Sequence, residues 1–295
     1  MSKPLLHHAV DSPYRAPYDG SFRIAKAPTL VSDKKRSKIE REQNLTELVA
    51  EISQLQHVLH ADNRYSLLLI FQAMDAAGKD STIRAVLTGV DPAGCTVHAF
   101  KRPSEEELAH DFLWRTAWRL PSRGQIGVFN RSYYEEVLVT RVNPALLAAQ
   151  NLPYDLPLAK LWKQRYRSIR DHEQHLAASG TVVLKFWLNV SHEEQRERFL
   201  ARLEQPEKNW KFESGDLGVR EHWDDYHRAY EDAINATSRE WAPWYAIPAD
   251  SKSTMRVIVA DIIVRTLRSL DLRYPALSAE EQAQLGQWRK QLGAE

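Results

Sequence analysis

Two runs, SLLLIF (Ser66–Phe71) and TVVLKFWLNV (Thr181–Val190), are apolar almost throughout instead of alternating with polar residues. Strands of that kind have both faces covered, which requires a helical layer on each side of the sheet. The chain supplies such layers in alternation. An amphipathic helix is expected from Ser32 to His60, with Ile39, Leu45, Leu48, Val49, Ile52, Leu55 and Leu59 in helical register. After the first strand come a helix from Ser81, a strand Cys95–Phe100, a helix Ser104–Arg119 and a strand Gln125–Phe129. A long helix Leu158–Ala178 precedes the second apolar run, and a helix from Ser191 follows it. Ser104 with Glu107 and Ser191 with Glu194 have capping-box spacing. Further on lie a helix Val219–Ala236, a short strand Trp244–Ile247, a helix Lys252–Leu270 and a tail helix Ser278–Leu292. The fold class is α/β: a three-layer parallel sheet with helices on both faces.

The expected organisation is an N-terminal arm and helix (1–60), one catalytic domain (61–275) and a C-terminal helix (276–295). The stretch 204–218, with Pro, Lys, Trp and Gly, interrupts the alternation and reads as a lid over the strand tips. Cys95 is the single cysteine, which excludes an intramolecular disulfide and fits a reducing cytoplasm. No segment has the apolar length of a membrane-spanning helix, so a soluble, cytoplasmic protein is expected. A formal net charge of +1 gives no global argument for nucleic acid or membrane partners, so any polyanion site is local.

Chemistry concentrates where the first strand ends, in QAMDAAGKDSTI. A phosphate-binding loop reads G-x-x-x-x-G-K-[ST], its amides closing round phosphate oxygens. Here Ala73 replaces the first glycine and Asp80 the hydroxyl residue, while Ala76, Ala77, Gly78, Lys79 and Ser81 keep the small-residue turn, the lysine and the helix start. The competing reading is a plain strand-to-helix turn with a surface lysine. A second cluster, FNRSYYEEVLVTRV, places Asn130 and Arg131 at the carboxyl end of the third strand, where doubly wound sheets bind ligands. Asp75, Asn130 and Glu135 form a candidate magnesium set, since magnesium takes one or two protein carboxylates and keeps waters. Taken alone, Glu135 and Glu136 equally suit a solvated first helical turn.

These two motifs, NWKF with Asp216, and APWYAIPADSK together resemble the second family of polyphosphate kinases, over roughly Ser32–Tyr274. The resemblance implies a P-loop kinase-like domain that reversibly transfers phosphate from inorganic polyphosphate to nucleotides. It assigns magnesium positioning to Asp75, which removes the need for a hydroxyl after Lys79. Asn at position 130, where many members carry Asp, is similar to the subgroup that phosphorylates both AMP and ADP. Family likeness also implies homodimers or homotetramers.

Asp75, Lys79 and Arg131 are thus the expected catalytic groups. Lys101, Arg102, Arg165, Lys208 and Lys211 are expected to hold polyphosphate with the loop. Lys163, Arg167 and Arg170 suit either that role or a charged outer helix face. His98, His110 and His172 lack metal-ligand spacing, and the tryptophans suit core or interface. Two other functions stay open: an ATP-dependent kinase of thymidylate-kinase type, and a polyphosphate sensor without turnover.

Overall fold

The computed structural model describes residues 7, 9–31, 37–153, 156–210 and 215–293. The first helix, α1 (Lys38–Asp62), begins at a Ser37–Glu40 capping box and buries Val49, Ile52, Gln56 and Leu59. Ile39, expected on its apolar face, is 68% exposed. Strand β1 (Ser66–Gln72) leads through the phosphate-loop segment to α2 (Lys79–Val86), and β2 (Cys95–Ala99) follows.

The single helix expected over Ser104–Arg119 is two short ones, α3 (Glu105–Leu108) and α4 (Trp114–Ala117). The Ser104–Glu107 capping box starts α3 as expected. The break is local chemistry: the Asp111 carboxylate accepts from the Leu113 amide at 2.9 Å and offers the backbone a turn in place of the helical bond.

Beyond them come β3 (Ile126–Asn130), α5 (Glu135–Val142), α6 (Leu158–Ala178), β4 (Thr181–Asn189) and α7 (His192–Glu204). Ser191 caps α7, but the expected box is one-sided. Glu194 turns to Arg198 at 2.8 Å, and the Ser191 amide donates to Asp250 Oδ1 at 2.8 Å. Within the stretch 204–218 expected to be a lid, α8 (Pro206–Asn209) and the start of α9 (Gly215–Glu221) are described, and 211–214 lie outside the described residues. A break at His222 separates α9 from α10 (Trp223–Thr237), where one helix was expected. Strand β5 (Trp244–Pro248), α11 (Lys252–Ser269) and α12 (Ala279–Leu292) complete the chain.

All five strands are parallel, in the order β2-β3-β1-β4-β5. The chain leaves β1 towards β2 and β3 on one side and later returns to β4 and β5 on the other. The crevice at the carboxyl end of β1 is therefore the switch point of the sheet. Leu67 to Phe71 are fully buried, as the unbroken apolar run demands. Lys185, in the middle of β4, is the exception in kind. It is fully buried and pairs with Glu173 on α6 at 2.6 Å, while Tyr133 and Tyr134 donate to the same carboxylate at 3.0 and 2.8 Å. The N-terminal arm lies on the other sheet edge: Ala16 donates to the Trp244 carbonyl and Ala246 to the Tyr14 carbonyl, covering what would be an open β5.

Candidate active site

The turn after β1 has the backbone of an anion cradle. Ala76 (φ +61°) and Gly78 (φ +105°) both lie in the left-handed region. At Gly78 the backbone itself selects glycine, because residues with a Cβ rarely adopt that φ. The helix starts at Lys79, two residues earlier than expected, so Lys79, Asp80 and Ser81 form its first turn. The Ser81 hydroxyl donates back to the Gly78 carbonyl at 3.0 Å. Lys79 is 8% exposed, and its ammonium donates to the Ala73 carbonyl at 2.8 Å, with Asp75 at 3.9 Å. Burial pulls its pKa below the ordinary lysine value, a shift that Asp75 opposes.

Arg131 ties this loop to the end of β3. Its φ is +63°, uncommon for a side chain other than glycine, and its amide donates to the Phe71 carbonyl at 2.9 Å. That geometry aims one guanidinium between two carboxylates, Asp75 at 2.7 Å and Glu135 at 3.3 Å. Glu135 first, then Asp75, raise the Arg131 pKa above its ordinary value, so the group stays charged. Gln72, the last residue of β1, donates to the other Glu135 oxygen at 2.7 Å, and Ser132 donates to Gln72 at 3.4 Å. Asn130 donates from Nδ2 to Asp80 at 2.5 Å, which leaves its amide oxygen as an acceptor. Burial, Glu135 and Asp75 push the Tyr226 hydroxyl up to about 12. It is a neutral wall beside the carboxylates.

Sequence reasoning missed two residues on α7. Arg198 donates to the Ala76 and Ala77 carbonyls at 3.1 and 2.7 Å, and to the Ala249 carbonyl at 2.6 Å. Gln195 donates to the Asp75 carbonyl at 2.9 Å and accepts from Arg220 of α9 at 3.0 Å. Together they clamp the loop from behind. The available signal was their spacing: polar residues one helical turn apart, next to Phe199, on the face that had to be buried.

The expected polyphosphate contacts separate. Lys101 and Arg102 are exposed just beyond β2, whose Ala99 is in register with Asn130, so they flank the crevice. Lys208 is half-buried on α8, and Lys211 lies outside the described residues. Arg165 does not join the site. It is 4% exposed, pairs with Glu136 at 3.1 Å and stacks on Phe112 and Trp162, so it locks α6 to α5. Arg167 pairs with Asp171 at 3.6 Å, as a charged outer face would.

The family model described as Polyphosphate kinase 2 (PPK2) matches residues 35–275. The chain belongs to the polyphosphate kinase 2 family. Among its relatives in that family, the ADP-polyphosphate phosphotransferase of Rhodopseudomonas palustris is 52% identical, over 91% of this chain and 93% of that protein. The AMP/ADP-polyphosphate phosphotransferase of Meiothermus ruber is 43% identical, over 89% and 94%. The crystal structure of Polyphosphate Kinase 2 from Arthrobacter aurescens TC1 superposes with a TM-score of 0.84 at 36% identity, covering 95% of this chain and 98% of that one. The polyphosphate kinase 2 match spans the phosphate loop, the Asn130–Glu135 segment and α7, so all the site residues lie within it.

Proposed function

We propose that the protein catalyses reversible transfer of a phosphoryl group from the end of inorganic polyphosphate to AMP and to ADP. The chain loses one phosphate as its terminal P–O–P bond breaks, and the acceptor's terminal phosphate oxygen forms the new one. The observation that carries the proposal is the single guanidinium of Arg131 held between Asp75 and Glu135, beside Lys79 and the amide-lined turn. An acceptor phosphate is already ionised, so no general base is needed; positioning and charge neutralisation suffice. Lys79 and the loop amides hold the reacting phosphates, and Arg131 answers charge that spreads onto the transferring oxygens.

The donor set also fits magnesium. Asp75 and Glu135 supply two carboxylates and Asn130 a neutral oxygen, all hard ligands and fewer than a closed cage, which leaves positions for water and phosphate. When bound, the ion would offset phosphate charge. Lys101, Arg102 and the lid lysines Lys208 and Lys211 suit the donor chain. Cys95 as the single cysteine supports a cytoplasmic location, and no helix among the described residues is long and apolar enough to cross a membrane. Family likeness supports a homodimer or homotetramer, which light scattering measures.

Acceptor range is the finer question. The M. ruber relative's name includes AMP and the R. palustris relative's does not, so an ADP-only enzyme is the second reading. Asn130 favours the broader one, because it removes a negative charge beside the phosphates and tolerates acceptors of different phosphate charge. The donor is tested with polyphosphate or ATP in separate reactions with AMP and magnesium. Turnover with polyphosphate, abolished by Lys79→Ala, is expected. Turnover with ATP alone would make the protein a nucleotide kinase, and binding of polyphosphate without turnover would make it a sensor.

A further inference from the structure

After covering β5, the N-terminal arm passes along α10 and reaches the carboxyl tips of β4 and β5. Phe22 is buried with its ring edge-on to Trp187, and it exchanges hydrogen bonds with the Asn235 side chain: its amide donates at 2.9 Å and its carbonyl accepts at 3.0 Å. The Ile24 amide donates to Glu231 at 2.8 Å. Past this anchor the arm meets Asn189, the last residue of β4, which is 2% exposed. Asn189 Nδ2 donates to the Ala27 and Pro28 carbonyls at 3.1 Å each. The Asp250 amide donates to the Thr29 carbonyl at 2.9 Å. The family match begins at residue 35, so this segment lies outside it.

From the strand tips the contacts continue to the phosphate loop. The Ala249 amide donates to the Asn189 carbonyl at 3.0 Å, which ties the end of β4 to the segment after β5. The Ala249 and Asp250 carbonyls accept from Arg198 Nη2 at 2.6 and 3.2 Å. Nη1 of the same guanidinium reaches the Ala76 and Ala77 carbonyls, and its Nε donates to Glu194 at 2.8 Å. All five of its N–H donors are thus engaged. A planar fork held at every donor is a rigid spacer, so a shift of residues 249–250 is passed on to 76–77. A peptide N–H points opposite its C=O, and holding the Ala77 carbonyl therefore also sets the direction of the Gly78 amide.

We propose that residues 27–29 of the arm are a positioning element for phosphoryl transfer: held by Asn189, they fix the Ala249–Asp250 tip against which Arg198 sets the phosphate loop. Asn189 and Pro28 touch no substrate in this arrangement and act through Arg198. Transfer loses rate steeply when the cradle is displaced by a fraction of an ångström, whereas ground-state binding of a polyanion tolerates it, so the effect falls on turnover. This rests on the phosphoryl-transfer reading above.

The test uses the full-length, magnesium-loaded enzyme with polyphosphate and ADP. Asn189→Ala should lower kcat about tenfold and leave both KM values within about threefold. In the same variant the amides of residues 76–80 should exchange with deuterium about tenfold faster. Pro28→Gly loosens the exposed segment without touching the sheet, and should lower kcat and speed loop exchange by about threefold each. Asn235→Ala is the control. It also removes two hydrogen bonds to the arm but lies off the route to Arg198, so kcat and loop exchange should stay within about twofold. Thermal unfolding shows which variants are folded, and if Asn189→Ala is not, Pro28→Gly decides by the same two readouts. Equal kcat losses in Asn235→Ala and the route variants would make the arm a general stabiliser and overturn the inference. So would a loss confined to KM, or unchanged kcat and loop exchange in the route variants. Failure of the phosphoryl-transfer reading is a separate result: the unaltered enzyme would not turn over polyphosphate, while loop exchange would still report on the arm.

Discussion

Arg131 holds an uncommon backbone conformation at the switch point of the sheet and spends it on bridging two carboxylates from different elements. A lysine keeps the charge but cannot span both partners, because its ammonium is a point donor where guanidinium is a fork. Arg131→Lys should therefore lower kcat by about 10²-fold, in the range of removing one transition-state charge donor, with the larger effect on kcat than on KM for either substrate. A kcat within threefold of the unaltered enzyme would remove Arg131 from the reaction. At this scale Asp75, Lys79, Asn130, Arg131 and Glu135 could be singled out from the sequence because they cluster at and after the ends of β1 and β3, where the fold class itself says ligands bind, and the structure brings them together there. Arg198 and Gln195 could not. They meet the loop only through tertiary packing, and no local pattern records which carbonyls a helix one hundred and more residues away will face.

Helices show where local chemistry competes with periodicity. The expected helix over Ser104–Arg119 failed because Asp111 captured a backbone amide, whereas Leu158–Ala178 was read correctly to the residue because nothing inside it competes. The same α6 misled about function. WKQRYRSIR has the look of a basic stripe, yet Arg165 points into the α5–α6 interface and Arg167 stays outside in a salt bridge. Arg165→Met should leave KM for polyphosphate unchanged. It should cost about 3–5 kcal/mol of stability, since it strands the Glu136 carboxylate without its partner. Equilibrium unfolding in urea measures the cost; a raised polyphosphate KM in a variant of normal stability would return Arg165 to the binding surface.

Lys185 makes the same point inside the sheet. It breaks the apolar run TVVLKFWLNV and closes a network with Glu173, Tyr134 and the Thr237 carbonyl. Lys185→Met should destabilise by about 3–5 kcal/mol as Glu173 loses its charge partner, and Glu173→Leu/Lys185→Met should recover much of that loss. Unfolding free energies of the two variants and the unaltered protein decide it; a double variant no better than the single one would show that the tyrosine contacts, not the ion pair, hold the network.

Across the whole molecule, the strand order places one crevice where β3, β1 and β4 end together, and the loop after β1 lies at its mouth. The family's phosphate chemistry needs little more than this: a rigid cradle, one buried lysine, one bridging arginine and carboxylates for a divalent ion. The most direct test of that account is a time course with the purified protein, magnesium, polyphosphate and AMP, run with an adenylate kinase inhibitor so that disproportionation of ADP cannot contribute. The account predicts that ADP appears first and ATP follows, with both steps lost when polyphosphate is omitted. AMP left untouched under conditions that convert ADP to ATP would contradict the acceptor range assigned to Asn130, and no nucleotide product from either acceptor would contradict the account as a whole.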